Sequence, residues 1–151
     1  FRQWLRGRYR GDLKALRSAW RDPKLTFASV AVPSPKRRLG SSDSIFIDPL
    51  ADAPVLDYRD FLNDMVASNV IRSCRIIKEE TANRKVTCVF YGYAMLFEGA
   101  GHGSRLGNNG FQSLDRVSKS PYVDCFCSPT DYRKRGGGQE GVALDGQPIG
   151  H

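Results

Sequence analysis

The chain has little histidine and little cysteine, and it lacks long apolar runs. Its 151 residues include two histidines and four cysteines. No stretch approaches the roughly 18 consecutive apolar residues of a membrane-spanning helix, so no membrane association is expected. The cysteines form no C-x-x-C pair, and only His102 and His151 could join them as nitrogen ligands. The sequence therefore predicts no metal site. Buried free thiols, in a reducing compartment such as the cytoplasm, are the favoured interpretation.

Two common cofactor signatures are also missing. No G-x-x-x-x-G-K-[ST] motif occurs, which excludes the usual phosphate-binding loop. The stretch Gly99-Ala100-Gly101-His102-Gly103 is rich in glycine but does not follow the dinucleotide fingerprint. The sequence therefore predicts no cofactor.

Positive charge is concentrated at the beginning of the chain. The net charge is +7, and residues 1–38 hold eleven basic but only two acidic side chains. Six of the basic residues recur every three or four positions, as on one side of a helix. They are Arg2, Arg6, Arg10, Lys14, Arg17 and Arg21. A solvated helix face and a nucleic-acid-binding surface both fit this pattern. The solvated face is preferred, because no usual nucleic-acid-binding motif accompanies the charge, and nucleic acid is not expected as a partner.

The first part of the chain is predicted to be helical and then irregular. Residues 1–21 have helical spacing with a break near Gly11, and Asp12 is expected to be the N-cap of the second helix. Residues 22–56 are rich in proline and are predicted to form a long loop anchored by apolar side chains.

Helices and strands alternate in the remainder. Asp57 is expected to cap a long helix that ends near Thr81, and strands are predicted over 85–91 and 122–127 with a short helix over 111–119 between them. The buried stripe of the long helix is predicted to comprise Phe61, Leu62, Met65, Val66, Asn69, Val70, Ser73, Cys74 and Ile77. Helices that alternate with apolar strands favour an α/β fold with a buried parallel sheet.

Both predicted strands end in aromatic and polar residues, where parallel α/β folds bind ligands. Aromatic rings suit the C–H faces of sugars, while phenol and carboxylate oxygens can bond to sugar hydroxyls. We therefore predict five substrate-binding residues: Tyr91, Tyr93, His102, Asp131 and Tyr132. The structural alternatives are tyrosines packed under a loop, a local hydrogen bond for His102 and a simple turn at Asp131. Asp124 is expected to cap or pair structurally.

Several motifs resemble glycoside hydrolase family 42 and related β-galactosidase-like enzymes. Residues 1–9 read F-R-Q-W-L-R-G-R-Y, and residues 13–20 add an L-x-A-L-x-x-A-W pattern. Together they resemble the family's helix after the fourth barrel strand. Residues 56–61 read L-D-Y-R-D-F and are similar to its L-D-Y-x-R-F helix opening, with Asp60 where that pattern has Arg. Residues 86–93 and 122–132 would then be the fifth and sixth strands.

This resemblance implies a partial (β/α)₈ TIM barrel, from the helix after strand four through strand six, over residues 1–132. Residues 133–151 would be a glycine-rich tail that begins the following loop. The implied activity is retaining hydrolysis of β-galactosides or related β-glycosides, with a carbohydrate substrate. The family's catalytic glutamates, at the ends of strands four and seven, would lie before Phe1 and after His151, so this segment alone should be inactive.

No catalytic pair can be assembled from the sequence. Retaining glycosidases need two carboxylates roughly 5–5.5 Å apart, and inverting ones roughly 6.5–9.5 Å. Glu98 and Asp131 are the only candidates at strand ends, and nothing indicates that they face each other. A non-catalytic carbohydrate-binding or structural α/β module remains an alternative, and a basic nucleic-acid-binding fragment is a second one. The oligomeric state stays open.

Overall fold

The computed structural model describes residues 1–39, 48–91 and 110–127. Five helices lie in these ranges: α1 (Arg2–Arg8), α2 (Leu13–Trp20), α3 (Pro35–Leu39), α4 (Ala53–Glu80) and α5 (Leu114–Ser118). They also contain two short strands, β1 (Cys88–Val89) and β2 (Cys125–Phe126). None of the helices described is long and apolar enough to cross a membrane.

The predicted break in the first helical region is confirmed. Gly11 has a φ of +74°, in the left-handed region that glycine adopts without a steric penalty. The Asp12 carboxylate then accepts the backbone N–H groups of Lys14 and Ala15, at 2.8 and 3.0 Å. These bonds satisfy two of the unpaired donors at the start of α2. A small apolar core forms beneath the two helices, from Leu5, Leu16, Leu25 and Val30.

A buried carboxylate joins α1 and α2 to α4. The whole Asp57 residue is only 3% exposed. The Arg8 guanidinium forms an ion pair with its Oδ1 at 2.8 Å. The Tyr9 hydroxyl and the Trp20 indole N–H both donate to its Oδ2, at 2.7 Å each. Burial, followed by the hydrogen bond to Asp57, raises the pKa of Tyr9 to about 12, so this phenol remains a donor at neutral pH.

The prediction that Asp57 caps the long helix was wrong. Helix α4 begins at Ala53 with Asp52 at its N-cap position. Pro54 lies in the first turn, where a missing N–H is not needed for helical hydrogen bonding. Asp57 lies one turn inside the helix and bonds to other helices instead of to its own backbone.

The buried face of α4 is also rotated from the prediction. Four buried positions share one side of the helix: Asn63, Ala67, Cys74 and Lys78. Met65 and Ile77, which were predicted to be buried, are 39% and 44% exposed. The prediction missed Asn63 and Lys78, because their burial depends on polar partners that are distant in sequence, Gln112 and Asp124.

The two strands pair in parallel, as predicted. Cys88 lies opposite Cys125 and Val89 lies opposite Phe126, and the Cys127 N–H donates to the Val89 carbonyl at 2.9 Å. On one side, Val89 packs against a second core built around Ala67, Tyr91 and Val117. On the other side, Val86 and Phe90 are 73% and 66% exposed, so this apolar surface is open in the described residues.

The expectation of free thiols was wrong for two of the four cysteines. Cys88 and Cys125 form a disulfide, while Cys74 and Cys127 remain free. Register pairing places the two bridged Cα atoms 4.8 Å apart, within the range a disulfide spans. The bridge joins residues 37 apart in sequence, and the thiol argument for a reducing compartment therefore no longer holds.

Replacing Asp57 by alanine should lower the free energy of unfolding by about 2–4 kcal/mol, because Arg8, Tyr9 and Trp20 lose their shared acceptor. Asp60→Asn is the matched control, because Asp60 is exposed and its carboxylate pairs with a terminal amino group of Arg8, at 2.9 Å. That change should cost no more than about 0.5 kcal/mol. Urea unfolding followed by tryptophan fluorescence measures both, and equal losses would contradict the role of Asp57.

Candidate functional site

Of the five predicted binding residues, the structure describes Tyr91. The other four, Tyr93, His102, Asp131 and Tyr132, lie outside the described residues, as does Glu98. Tyr91 follows β1 at its carboxyl end, the edge at which the prediction placed the site.

Tyr91 connects the carboxyl end of β1 to residues 110–113. Its residue exposure is only 5%, and its ring meets the Phe111 ring edge-on with centroids 5.3 Å apart. The Tyr91 hydroxyl accepts the Ser113 backbone N–H at 3.2 Å and donates to the Gly110 carbonyl at 3.3 Å. Burial raises the pKa of Tyr91, which keeps the phenol protonated. A direct role for Tyr91 in substrate binding stays a prediction.

Gly110 allows the chain to pass closely over α4. Its φ is +79°, a conformation that side-chain-bearing residues rarely adopt. A Cβ atom there would lie 2.5 Å from the Val66 Cγ2 atom and 2.9 Å from the Leu62 carbonyl oxygen. Gly110 was not singled out as a candidate from the sequence. Its long-range contact with α4 gives no local sequence signal.

Polar bonds extend the junction between α4 and residues 110–116. The buried Asn63 amide donates to the Gln112 side-chain oxygen at 3.3 Å and accepts the Gln112 backbone N–H at 3.1 Å. Arg116 donates to the Ser68 hydroxyl at 2.9 Å and contacts the Asp64 carboxylate at 3.4 Å. Asn63 and Gln112 were not predicted as functional residues, because each was considered only within its own segment.

An open groove of about 430 Å³ lies at this junction. Its lining comprises Arg8, Asp60, Asn63, Asp64, Gln112 and Ser113. All six present hydrogen-bonding side chains, and the Ser113 backbone N–H ties the groove to the Tyr91 hydroxyl. Such a surface suits a ligand rich in hydroxyl groups.

The amino end of the strand pair is held by a separate polar network. The Asp124 Oδ2 atom accepts the Thr87 backbone N–H at 2.7 Å and the Thr87 hydroxyl at 2.9 Å. It also pairs with the Lys78 ammonium group, whose side chain is only 10% exposed. The hydrogen bond from Lys78, with those from Thr87, lowers the pKa of Asp124 to about 2. Asp124 therefore has the structural role that was predicted for it.

The described residues contain no group of three histidine, cysteine or acidic side chains that could hold a metal ion. The carboxyl end of β1 therefore combines the buried Tyr91, the close approach of Gly110 to α4, and polar side chains that are either neutral or ion-paired. These groups can position a polar ligand through hydrogen bonds. The two carboxylates that line the groove, Asp60 and Asp64, are paired with Arg8 and Arg116.

Comparison with known proteins identifies the family. The glycoside hydrolase family 42 model, described as beta-galactosidase, matches residues 1–135. The chain belongs to glycoside hydrolase family 42. No curated protein and no solved structure gives a significant match. Family membership confirms the resemblance seen in the sequence and supports a glycoside hydrolase-like segment with a TIM-barrel-type fold. In the described ranges the family 42 chain is mostly helical, with the two strands β1 and β2.

Gly110→Ala should destabilise this family 42 chain by about 2–3 kcal/mol. A left-handed conformation alone costs an L-residue about 1–2 kcal/mol, and the Leu62 carbonyl cannot move without distorting α4. Gly7→Ala is the control, because no atom lies within 4 Å of a Cβ at Gly7 in α1. This second change should be neutral or stabilising by up to about 1 kcal/mol. Urea unfolding of both variants checks the difference. A Gly110→Ala midpoint at or above the wild-type value would refute the close crossing.

The lowered pKa of Asp124 predicts an acid-dependent loss of stability. Its folded-state pKa of about 2 lies below the ordinary 3.8. The stabilisation is therefore complete above pH 3.8 and is lost as the pH falls towards 2. Asp124→Asn should lower the melting temperature near neutral pH and flatten its decline below pH 3.8. Asp115→Asn removes an exposed pair with Lys119 and should leave the acid slope unchanged. Identical slopes in the wild type and Asp124→Asn would count against the network.

Proposed function

We propose that this chain is the part of a retaining β-glycosidase barrel from the helix after strand four through strand six. The family 42 match over residues 1–135 is the observation that carries the proposal. On this proposal residues 1–132 are the barrel portion and 133–151 begin the following loop. The substrates are β-galactosides or related β-glycosides.

The strand arrangement supports a barrel origin. Among the described elements, strand β1 precedes helix α5 and strand β2 in the chain, and the two strands pair in parallel, as in the βαβ unit from which barrels are built. One side of the strand pair packs against helical residues. On the other, Val86 and Phe90 are exposed apolar residues. In a closed barrel this second face would look into the interior and be covered by the remaining strands.

On this proposal the segment supplies residues that position the substrate, and other strands supply the catalytic carboxylates. We assign Tyr91, Tyr93, His102, Asp131 and Tyr132 to the substrate pocket. Tyr91 would act by fixing residues 110–113, since its hydroxyl bonds to both ends of that stretch. The polar groove beside Ser113 would extend the binding surface with amide and hydroxyl groups.

The catalytic carboxylates are proposed to lie on other strands. In the family, the acid/base glutamate is at the end of strand four and the nucleophile is at the end of strand seven, and the proposed segment contains neither strand. A retaining mechanism needs the two carboxyl groups roughly 5–5.5 Å apart. Both strand ends must therefore be brought together by the complete barrel before turnover is possible.

Steady-state hydrolysis of a nitrophenyl β-galactoside tests this proposal in the full-length parent enzyme. Tyr132→Ala should raise KM about tenfold, because a stacking face and a hydroxyl are lost. Tyr132→Phe keeps the ring and should have a smaller effect. Tyr122→Phe is the control at the amino end of β2, where the described contact uses the Tyr122 carbonyl and not its phenol.

The 151-residue chain alone should show no turnover of the same substrate. Turnover by the isolated chain would overturn the placement of the catalytic carboxylates. Unchanged kcat and KM in Tyr132→Ala, with normal folding, would overturn the assignment of the pocket.

A further inference from the structure

A second groove lies beside α1, away from the predicted substrate-binding residues. Its volume is about 380 Å³, and it is lined by Arg2, Gln3, Arg6, Phe27 and Ala28. Arg2 and Arg6 are one helical turn apart, so their side chains project from the same face of α1. The groove therefore presents two guanidinium groups together with one amide and one aromatic ring.

Both guanidinium groups are positioned by contacts that leave most of their donors available. The Arg2 Nε–H donates to the Val30 carbonyl at 2.8 Å, which leaves its two terminal amino groups for other partners. The Arg6 guanidinium carbon lies 5.5 Å from the centre of the Phe27 ring, in a cation–π contact that uses no N–H group. Such anchoring lowers the entropy lost when a ligand is bound.

Among the residues that the structure describes, no acidic side chain forms an ion pair with Arg2 or Arg6. Arg8, on the same helix, pairs with both Asp57 and Asp60. By contrast, every ion pair in the part of the chain that the structure describes involves a cation other than Arg2 and Arg6. Two like charges one turn apart repel each other, and a bound anion would relieve that repulsion.

We propose that this groove binds a phosphate group, either as a monoester of a small organic molecule or as free phosphate. A phosphate monoester carries about −1.5 to −2 charges at neutral pH and three strong acceptor oxygens, which match two guanidinium forks. A carboxylate has one charge and two oxygens, which a single fork satisfies. The volume leaves room for an organic group beside Gln3 and Phe27. This site is independent of the proposed glycosidase function.

Isothermal titration of the 151-residue chain, at constant ionic strength, tests the site with inorganic phosphate and glucose 6-phosphate, and with glucose as the neutral reference. Both phosphates should bind and glucose should not. Tighter binding of glucose 6-phosphate would support a phosphorylated organic ligand, while equal affinities would support free phosphate. Absence of phosphate binding would overturn the proposal.

Charge variants separate a built site from general attraction to a basic segment. Arg6→Gln should weaken phosphate binding about tenfold, and Arg6→Lys should weaken it less because the charge remains while the planar fork is lost. Lys14→Gln removes the same charge from α2, outside the groove, and should change the affinity by less than about twofold. Equal losses in Arg6→Gln and Lys14→Gln, with unchanged circular dichroism, would refute a specific site.

Discussion

The packing of α1, α2 and α4 depends on the bonds made to the Asp57 carboxylate. It accepts an ion pair and two hydrogen bonds, from Arg8, Tyr9 and Trp20, and so connects α4 to the end of α1 and the end of α2. An isolated carboxylate would be costly to bury, and three donors offset that cost. Because the donors come from different elements, the bonds form together only when all three helices are in place. The arrangement therefore selects one packing of α4 over its alternatives.

Helix α4 also connects the helices packed around Asp57 to the two strands. In its first half, Asn63 bonds to Gln112, and the Leu62 backbone lies under Gly110, which places residues 110–113 against Tyr91. At its other end, Lys78 pairs with Asp124 and holds the amino ends of β1 and β2. Contacts with α4 therefore hold the strand pair at both of its ends. In TIM-barrel enzymes the amino end of the strands contributes to stability, and the Asp124 network lies at the amino end of this strand pair.

Sequence reasoning succeeded where the determining interactions are local. The cap at Asp12 uses backbone groups two and three residues away. The parallel pairing joins distant residues, but the alternation of helices and strands along the chain was enough to predict it. Sequence reasoning failed for Asp57, whose partners are 37 to 49 residues away, and for the Cys88–Cys125 bridge, whose members are 37 apart. No spacing pattern in a sequence predicts which residues so far apart will come into contact. The family resemblance came from whole motifs, which preserve long-range constraints that single residues do not reveal.

The exposed face of the strand pair is relevant to both stability and function. A parallel sheet needs cover on both sides, and in the described ranges Val86 and Phe90, which lie on either side of β1 in sequence, remain exposed. If the proposed barrel is correct, the strands that cover this face also include those that carry the catalytic glutamates. Completion of the hydrophobic interior and assembly of the active site would then be the same event. Activity should therefore follow barrel closure cooperatively, whereas the helical packing around Asp57 can form from residues of this chain alone.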